Sequence, residues 1–239
     1  MDAINQNLRD TPRPEDANTL LAKMQAALGK GVAPPIPDVP NTVEEEGYWE
    51  GGYYLASEWA EAFLLQYGAG LEVGYGQVSV PEDIYDYMRL HTYYRAVNDR
   101  PKLIERGGQS NLLAHMLGDL TASADADYGV SMYVGHDTNL DGLNVLLGLQ
   151  WDASPYPENA TPPGGMLRLT LSEGKVRAAF LYTTFESTDG NMTEVPARFG
   201  GVSDTMDLDE FVDSARQTVD WRCVPDGVAE GYRPGGAMR

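Results

Sequence analysis

The stretch Met132-Tyr133-Val134-Gly135-His136-Asp137-Thr138-Asn139-Leu140 decides how this chain is read. Residues 128–135 (Tyr-Gly-Val-Ser-Met-Tyr-Val-Gly) form a short, apolar, partly β-branched run closed by glycine, and that pattern predicts a buried strand. The apolar spacing of 141–147 predicts a helix directly after it. The strand then delivers His136 and Asp137 to its carboxyl end, where open α/β sheets usually hold their ligands. A helix start adds backbone N–H groups without helical partners and the positive end of the helix dipole, both suited to an anion such as phosphate. His136 can donate to a phosphoryl oxygen there, and a protonated Asp137 can give its proton to a leaving alkoxide. A plainer reading makes the same two residues an ordinary polar strand end, with Asp137 capping the next helix.

Downstream, 166–171 and 176–183 alternate in polarity and are joined by Ser172-Glu173-Gly174-Lys175, a hairpin signal. Thr161-Pro162-Pro163-Gly164-Gly165 is turn chemistry leading into the first of these strands. Asp207, with Glu210 three residues on, has the capping-box pattern and predicts a helix to about Val219. Upstream, helical spacing covers 14–28 and 55–67, the latter with Leu55, Trp59, Phe63 and Tyr67 one turn apart. Prolines at 34, 35, 37 and 40 predict an extended loop between them, and Gly74-Tyr75-Gly76 another loop. Ser79 is expected to cap a third helix, with Pro81 in its first turn and Ile84, Tyr87, Met88, His91 and Tyr94 along its apolar line. A fourth starts at Pro101 and carries Leu112, Leu113, Met116, Leu117 and Leu120. The expected class is therefore α/β: a mostly helical part over 1–125, an α/β part over 126–223, and a flexible Gly- and Pro-rich tail over 224–239.

Composition narrows the function classes. Seventeen Lys and Arg stand against 36 Asp and Glu among 239 residues, a formal net charge of −19. Such a surface repels polyanions, which excludes a sequence-independent grip on nucleic acid and an anchor on an anionic membrane. No apolar run approaches the roughly 20 residues of a spanning helix. One cysteine, Cys223, allows neither an internal disulfide framework nor a Cys-rich metal site. Three histidines (His91, His115 and His136) are too few for a metal-dependent phosphohydrolase with several imidazole ligands, and no cofactor or metal is expected. His91 and His115 sit on apolar helical lines and read as packing or surface residues. Met1 is followed by neither a basic nor an apolar leader region, so no secretory signal is read. The sequons at Asn159 and Asn191 hint only weakly at a secretory route.

Several ordered motifs carry a resemblance. Gly135-His136-Asp137-Thr138-Asn139-Leu140, followed by Thr161-Pro162-Pro163-Gly164-Gly165 before a strand, resembles the C-terminal half of the histidine acid phosphatases, which include phytases and glucose-1-phosphatase. Upstream, Glu61-Ala62-Phe63-Leu64-Leu65-Gln66-Tyr67, Gly70, Gly74-Tyr75-Gly76, Leu90-His91, Pro101, Arg106 and Leu112-Leu113 fall in that family's order. The similarity runs from about residue 50 to about residue 220. It implies an incomplete three-layer α/β/α domain of the histidine-phosphatase kind acting on phosphate monoesters through a phosphohistidine. His136 would then stabilise the phosphoryl group, Asp137 would serve as general acid, and Thr138 and Glu61 would lie on the substrate side. Glu58 and Glu61, one turn apart, read more readily as a solvated or structural pair than as ligand-facing groups, and Arg106 reads more readily as a surface salt bridge than as a phosphate-side arginine. The family implies a secreted, periplasmic or vacuolar setting, and it implies a disulfide at Cys223 whose partner position is Met206 here, so no bond is expected.

The departure from the family is sharp. Its nucleophile is another histidine, within Arg-His-Gly-x-Arg-x-Pro, and no Arg-His-Gly occurs in these 239 residues. Two expectations follow: a shortened member lacking its nucleophile segment, or an inactive remnant keeping a weak anion site. Either way the sheet is expected to expose an edge, with poor solubility or oligomerisation as the consequence.

Overall fold

The spacing Leu20, Met24, Leu28 closes into helix α1 (Ala17–Leu28), with those three side chains buried on one face. The computed structural model describes residues 6–7, 9–29, 36, 42–43, 49–50, 52–78, 81–98, 100, 102–122, 128–187 and 190–233. The chain divides into two compact units, one of residues 1–101, 154–160 and 184–189, the other of 102–153, 161–183 and 190–239.

In the first unit α1 is followed by a two-stranded antiparallel pair, β1 (Thr42–Val43) and β2 (Trp49–Glu50). Helices α2 (Gly52–Gly68) and α3 (Pro81–Asn98) then run antiparallel. Ring contacts fix their register: Tyr53 meets Tyr93 at 5.4 Å and Phe63 meets Tyr87 at 5.7 Å. The Arg89 guanidinium grips the Asp16 carboxylate through two 2.7 Å bonds and ties α1 to α3. Tyr156 and Phe185, from the returning segments, pack on Tyr85 at 4.9 and 5.2 Å, and burial pushes the Tyr85 hydroxyl up to about 12. Gly74–Gly76 is a single 3₁₀ turn. The proline-rich loop, apart from Ile36, the expected Ser79 cap and Pro101 lie outside the described residues.

The second unit opens with α4 (Lys102–Ala122) and α5 (Asp137–Leu147). Gly142 sets how closely they approach, because a Cβ there would stand 2.0 Å from Gln109 Cγ on α4. Strand β3 (Leu149–Gln150) follows, then the hairpin of β4 (Met166–Ser172) and β5 (Lys175–Tyr182), paired from Met166↔Leu181 to Ser172↔Lys175. Glu173 and Gly174 make its two-residue turn, both at positive φ (52° and 72°), the conformation that gives a hairpin its right-handed twist. On its other edge β5 pairs with β6 (Thr193–Pro196) and β8 (Thr205–Asp207), while β7 (Arg198–Phe199) pairs with β3. The core sits on β5, where Phe180 is fully buried and stacks on Trp151 at 4.5 Å.

Helix α6 (Leu208–Thr218) buries Phe211, Val212 and Ala215. Asp207 is its N-cap residue, but the expected capping contact is not made: its carboxylate accepts from Lys175 Nζ at 2.9 Å instead. Beyond α6, residues 224–233 turn back through a 3₁₀ turn at Glu230–Tyr232, and Arg233 donates to the Val224 and Pro225 carbonyls at 2.6 Å. Residues 234–239 lie outside the described set.

A second expectation is overturned. Residues 128–135 are not a buried strand: they have no regular secondary structure, no strand among the described residues pairs with them, and every one is exposed. A parallel or sandwich-core strand exists only when neighbours take up its backbone N–H and C=O groups, and no strand among the described residues does so.

Candidate active site

The His136-Asp137 pair opens α5. His136 is the N-cap residue, with extended backbone (φ −112°, ψ 172°), and Asp137 is the first helical residue. The His136 N–H donates to Asn139 Oδ1 at 2.8 Å, closing one half of a capping box. Asn139 Nδ2 in turn donates to Gln109 Oε1 on α4 at 2.9 Å. The helix start is thus held to α4 at its first turn by this chain of bonds and one turn further on by Gly142. Asn139 and Gln109 were not singled out from sequence. The signal was the spacing of three between His136 and Asn139, the interval from N-cap to N3.

His136 is exposed, while Asp137 and Thr138 are half-buried. The Thr138 N–H donates to Asp137 Oδ1 at 2.7 Å, so the carboxylate lies against its own helix start. This geometry offers an imidazole and a carboxyl at the positive end of one helix, an arrangement able to meet a phosphoryl group. Above it Tyr133 donates to Asp119 Oδ2 at 2.6 Å, and Ser131 bonds the same carboxylate. Those bonds lower the Asp119 pKa below the usual carboxylate range. Burial first, and then Asp119, push the Tyr133 hydroxyl up to about 12.

The other named residues stand elsewhere. Glu61 is half-buried on α2 and Glu58 exposed on the same helix, both in the first unit. His91 meets the buried Ser57 hydroxyl at 3.0 Å, and His115 is exposed on α4. Arg106 lines a cavity of about 380 Å³ with Asp213, Arg216, Gln217, Val219 and Trp221, and its buried Nε has no hydrogen-bond partner. Neither His136 nor Asp137 lines that cavity. The Thr161–Gly165 stretch makes the expected turn, Gly165 N–H bonding the Pro162 carbonyl at 2.9 Å before β4. Cys223 is an exposed free thiol. Among the described residues no three His, Cys, Asp or Glu side chains converge as metal ligands, and no helix is long and apolar enough to cross a membrane.

The fold is α/β and is similar to that of solved phytases. In sequence the chain is 33% identical over 151 residues to phytase AppA of Escherichia coli (strain K12), a match covering 57% of this chain and 35% of that protein. In structure it superposes on the phytase from Citrobacter braakii with a TM-score of 0.75 at 20% identity, covering 93% of this chain and 66% of that one. The Klebsiella sp. ASR1 phytase gives 0.75 at 20%, covering 95% and 64%, and the Hafnia alvei phytase in complex with myo-inositol hexakis sulphate gives 0.74 at 19%, covering 94% and 65%. No family model matches. The resemblance to the histidine acid phosphatases thus holds in sequence and in fold, and the chain spans about a third of the curated relative and just under two thirds of the solved ones.

Proposed function

We propose that this chain carries the phosphoryl-binding and proton-donating half of a phosphomonoesterase of the histidine acid phosphatase kind. His136 donates to the non-bridging oxygens of the transferring phosphoryl group, and Thr138, at the positive end of α5, lies on the substrate side. Asp137, in its acid form, gives its proton to the alkoxide as the bridging P–O bond breaks. A nucleophilic histidine takes the phosphoryl group as a P–N bond forms; water then attacks phosphorus, returns a proton to Asp137 and releases phosphate. Glu61 belongs to the substrate side in this reading.

The observation that carries the proposal is the His136-Asp137 pair at the start of α5, braced through Asn139 and Gln109, in a chain similar to a phytase over 151 residues. The nucleophile's Arg-His-Gly motif is absent from these 239 residues, so the polypeptide alone is expected not to turn over phosphate esters. A second reading, an inactive remnant with a weak anion site, draws on the Asp137 carboxylate being already engaged by the Thr138 amide.

Phosphate release from a generic monoester at acidic pH, by a reading frame extended upstream to an Arg-His-Gly motif, tests the first reading. Asp137→Asn should lower kcat by about 10²–10⁴-fold, the usual worth of a general acid. Turnover indifferent to Asp137→Asn sinks the assignment. A locus without any Arg-His-Gly, together with an orthophosphate-induced shift of the His136 ring resonances in the chain itself, favours the remnant.

A further inference from the structure

The cavity of about 380 Å³ beside Arg106 is lined by residues of the second unit alone, from the start of α4, the end of α6 and the 3₁₀ turn Trp221–Cys223. Hydrogen bonds hold its walls. One turn beyond Arg106 on α4, the fully buried Ser110 hydroxyl accepts from the Asp220 N–H at 2.7 Å, and the Trp221 indole N–H donates to the Arg216 carbonyl at 3.1 Å. Two guanidinium groups face this space without a close acid partner. Arg106 Nε is buried and has no hydrogen-bond partner among the described residues. Arg216, its side chain only 20% exposed, has the Asp213 carboxylate at 4.0 Å, beyond hydrogen-bond reach. The other acid near Arg106 is Asp220, and both of its oxygens go to Arg222, at 2.9 and 2.6 Å. A guanidinium keeps its charge at any working pH, and a buried N–H without an acceptor is costly.

We propose that this cavity binds a small phosphate-bearing ligand, at a site separate from His136 and Asp137. The planar N–H forks of two arginines match an oxyanion in shape and charge. Phosphate offers them three acceptor oxygens where a carboxylate offers two. Two positive charges against the single exposed carboxylate of Asp213 leave the lining cationic, in a chain of net charge −19. Val219 and the Trp221 ring give the same space an apolar wall, suited to the carbon body of a phosphate monoester. The volume lies at the small end of ligand sites, which run from about 300 to 1,000 Å³. Neither His136 nor Asp137 lines the cavity, so the site does not rest on the phosphatase reading.

Inorganic phosphate titrated into the 239-residue chain at constant ionic strength, followed by the N–H resonances of Arg106 Nε and the Trp221 indole, reads the site. Both should shift together and saturate, and acetate should bind more weakly. Arg106→Gln and Arg216→Gln should each weaken phosphate binding about tenfold or more, the usual worth of a bond between charged groups. Arg106→Lys, which keeps the charge and loses the planar fork, should weaken it less. Asp213→Asn removes the opposing charge and should tighten it by about threefold or less, since that carboxylate reaches solvent. Phosphate should also raise the melting temperature of wild type by mass action and that of Arg106→Gln less; should Arg106→Gln fail to fold, Arg216→Gln carries the same comparison. His136→Ala should bind phosphate here as wild type does, which separates a failure at this site from a failure at His136. Shifts that never saturate, binding indifferent to Arg106→Gln and Arg216→Gln, acetate bound as tightly as phosphate, or a response lost in His136→Ala overturns the proposal. So does loss of the site in a reading frame extended upstream, which would give the two arginines to an acid of the chain itself.

Discussion

The hairpin Met166–Tyr182 and the run 128–135 make the same argument from sequence and reach opposite ends in the structure. Both are short, apolar and rich in strand-forming residues, bounded by glycine or turn chemistry. In the hairpin each residue of β4 finds its partner on β5 across a two-residue turn, and β5 is covered on its far edge by β6 and β8. The run 128–135 has no strand beside it among the described residues, and none of them forms a ladder with it. Strand preference is thus conditional. It states that a segment suits a pleated, half-covered surface, and the surface must come from elsewhere. A hairpin carries its own partner at little loop-closure entropy, while a central strand depends on remote chain.

The largest expected effect tests that contrast directly. Phe180, fully buried on β5 and stacked on Trp151, should cost about 3–5 kcal/mol when cut to alanine, through lost transfer energy and the cavity left behind. Val134→Ala, at a side chain almost wholly in solvent, should change stability by no more than about 0.5 kcal/mol. Denaturant unfolding of both variants under conditions that keep the chain monomeric settles the comparison. Equal losses would mean that 128–135 is buried in solution.

Next in size is the turn that supplies the hairpin its partner. Gly174 sits at φ 72°, where a β-carbon is crowded by the neighbouring carbonyl, so Gly174→Val should cost about 1–2 kcal/mol. The Leu208 N–H also bonds the Gly174 carbonyl at 2.9 Å, so strain in the turn reaches the start of α6. A Gly174→Val protein as stable as wild type would show that the turn does not hold this conformation in solution.

What could be read beforehand follows the same division. The helices on apolar lines, the hairpin and the helix opened by His136-Asp137 were legible, because their determinants lie within a few residues of each other. Three features were not. The unpaired state of 128–135 depends on absent neighbours rather than on its own residues. Asp207 and Glu210 have capping-box spacing, yet the Asp207 carboxylate goes to Lys175, a charged partner brought within 2.9 Å by the pairing of β5 with β8. The brace from Asn139 to Gln109 joins residues 30 apart, whose meeting follows from the close approach of α4 and α5 at Gly142. The candidate catalytic pair was thus visible in sequence, and its support was not.

The smallest expected effect concerns how 128–135 is fastened. The bonds from Tyr133 and Ser131 hold the Asp119 carboxylate below its ordinary range, so this fastening is fully present above that range and is lost as pH falls through the lowered value. Tyr133 is raised from 10.0 to about 12, so the same bond persists below pH 10 and is lost as the hydroxyl ionises towards 12. The segment should therefore be fastened across the neutral range and loosen at both extremes, which amide chemical shifts of Ser131 and Met132 would follow. Both partners reach solvent, so screening keeps the contribution small, and Tyr133→Phe should cost less than about 1 kcal/mol. That substitution leaves the Ser131 bond to Asp119 intact, so it should abolish the alkaline loosening and keep an acidic one. An alkaline transition that survives Tyr133→Phe would place the fastening on another group.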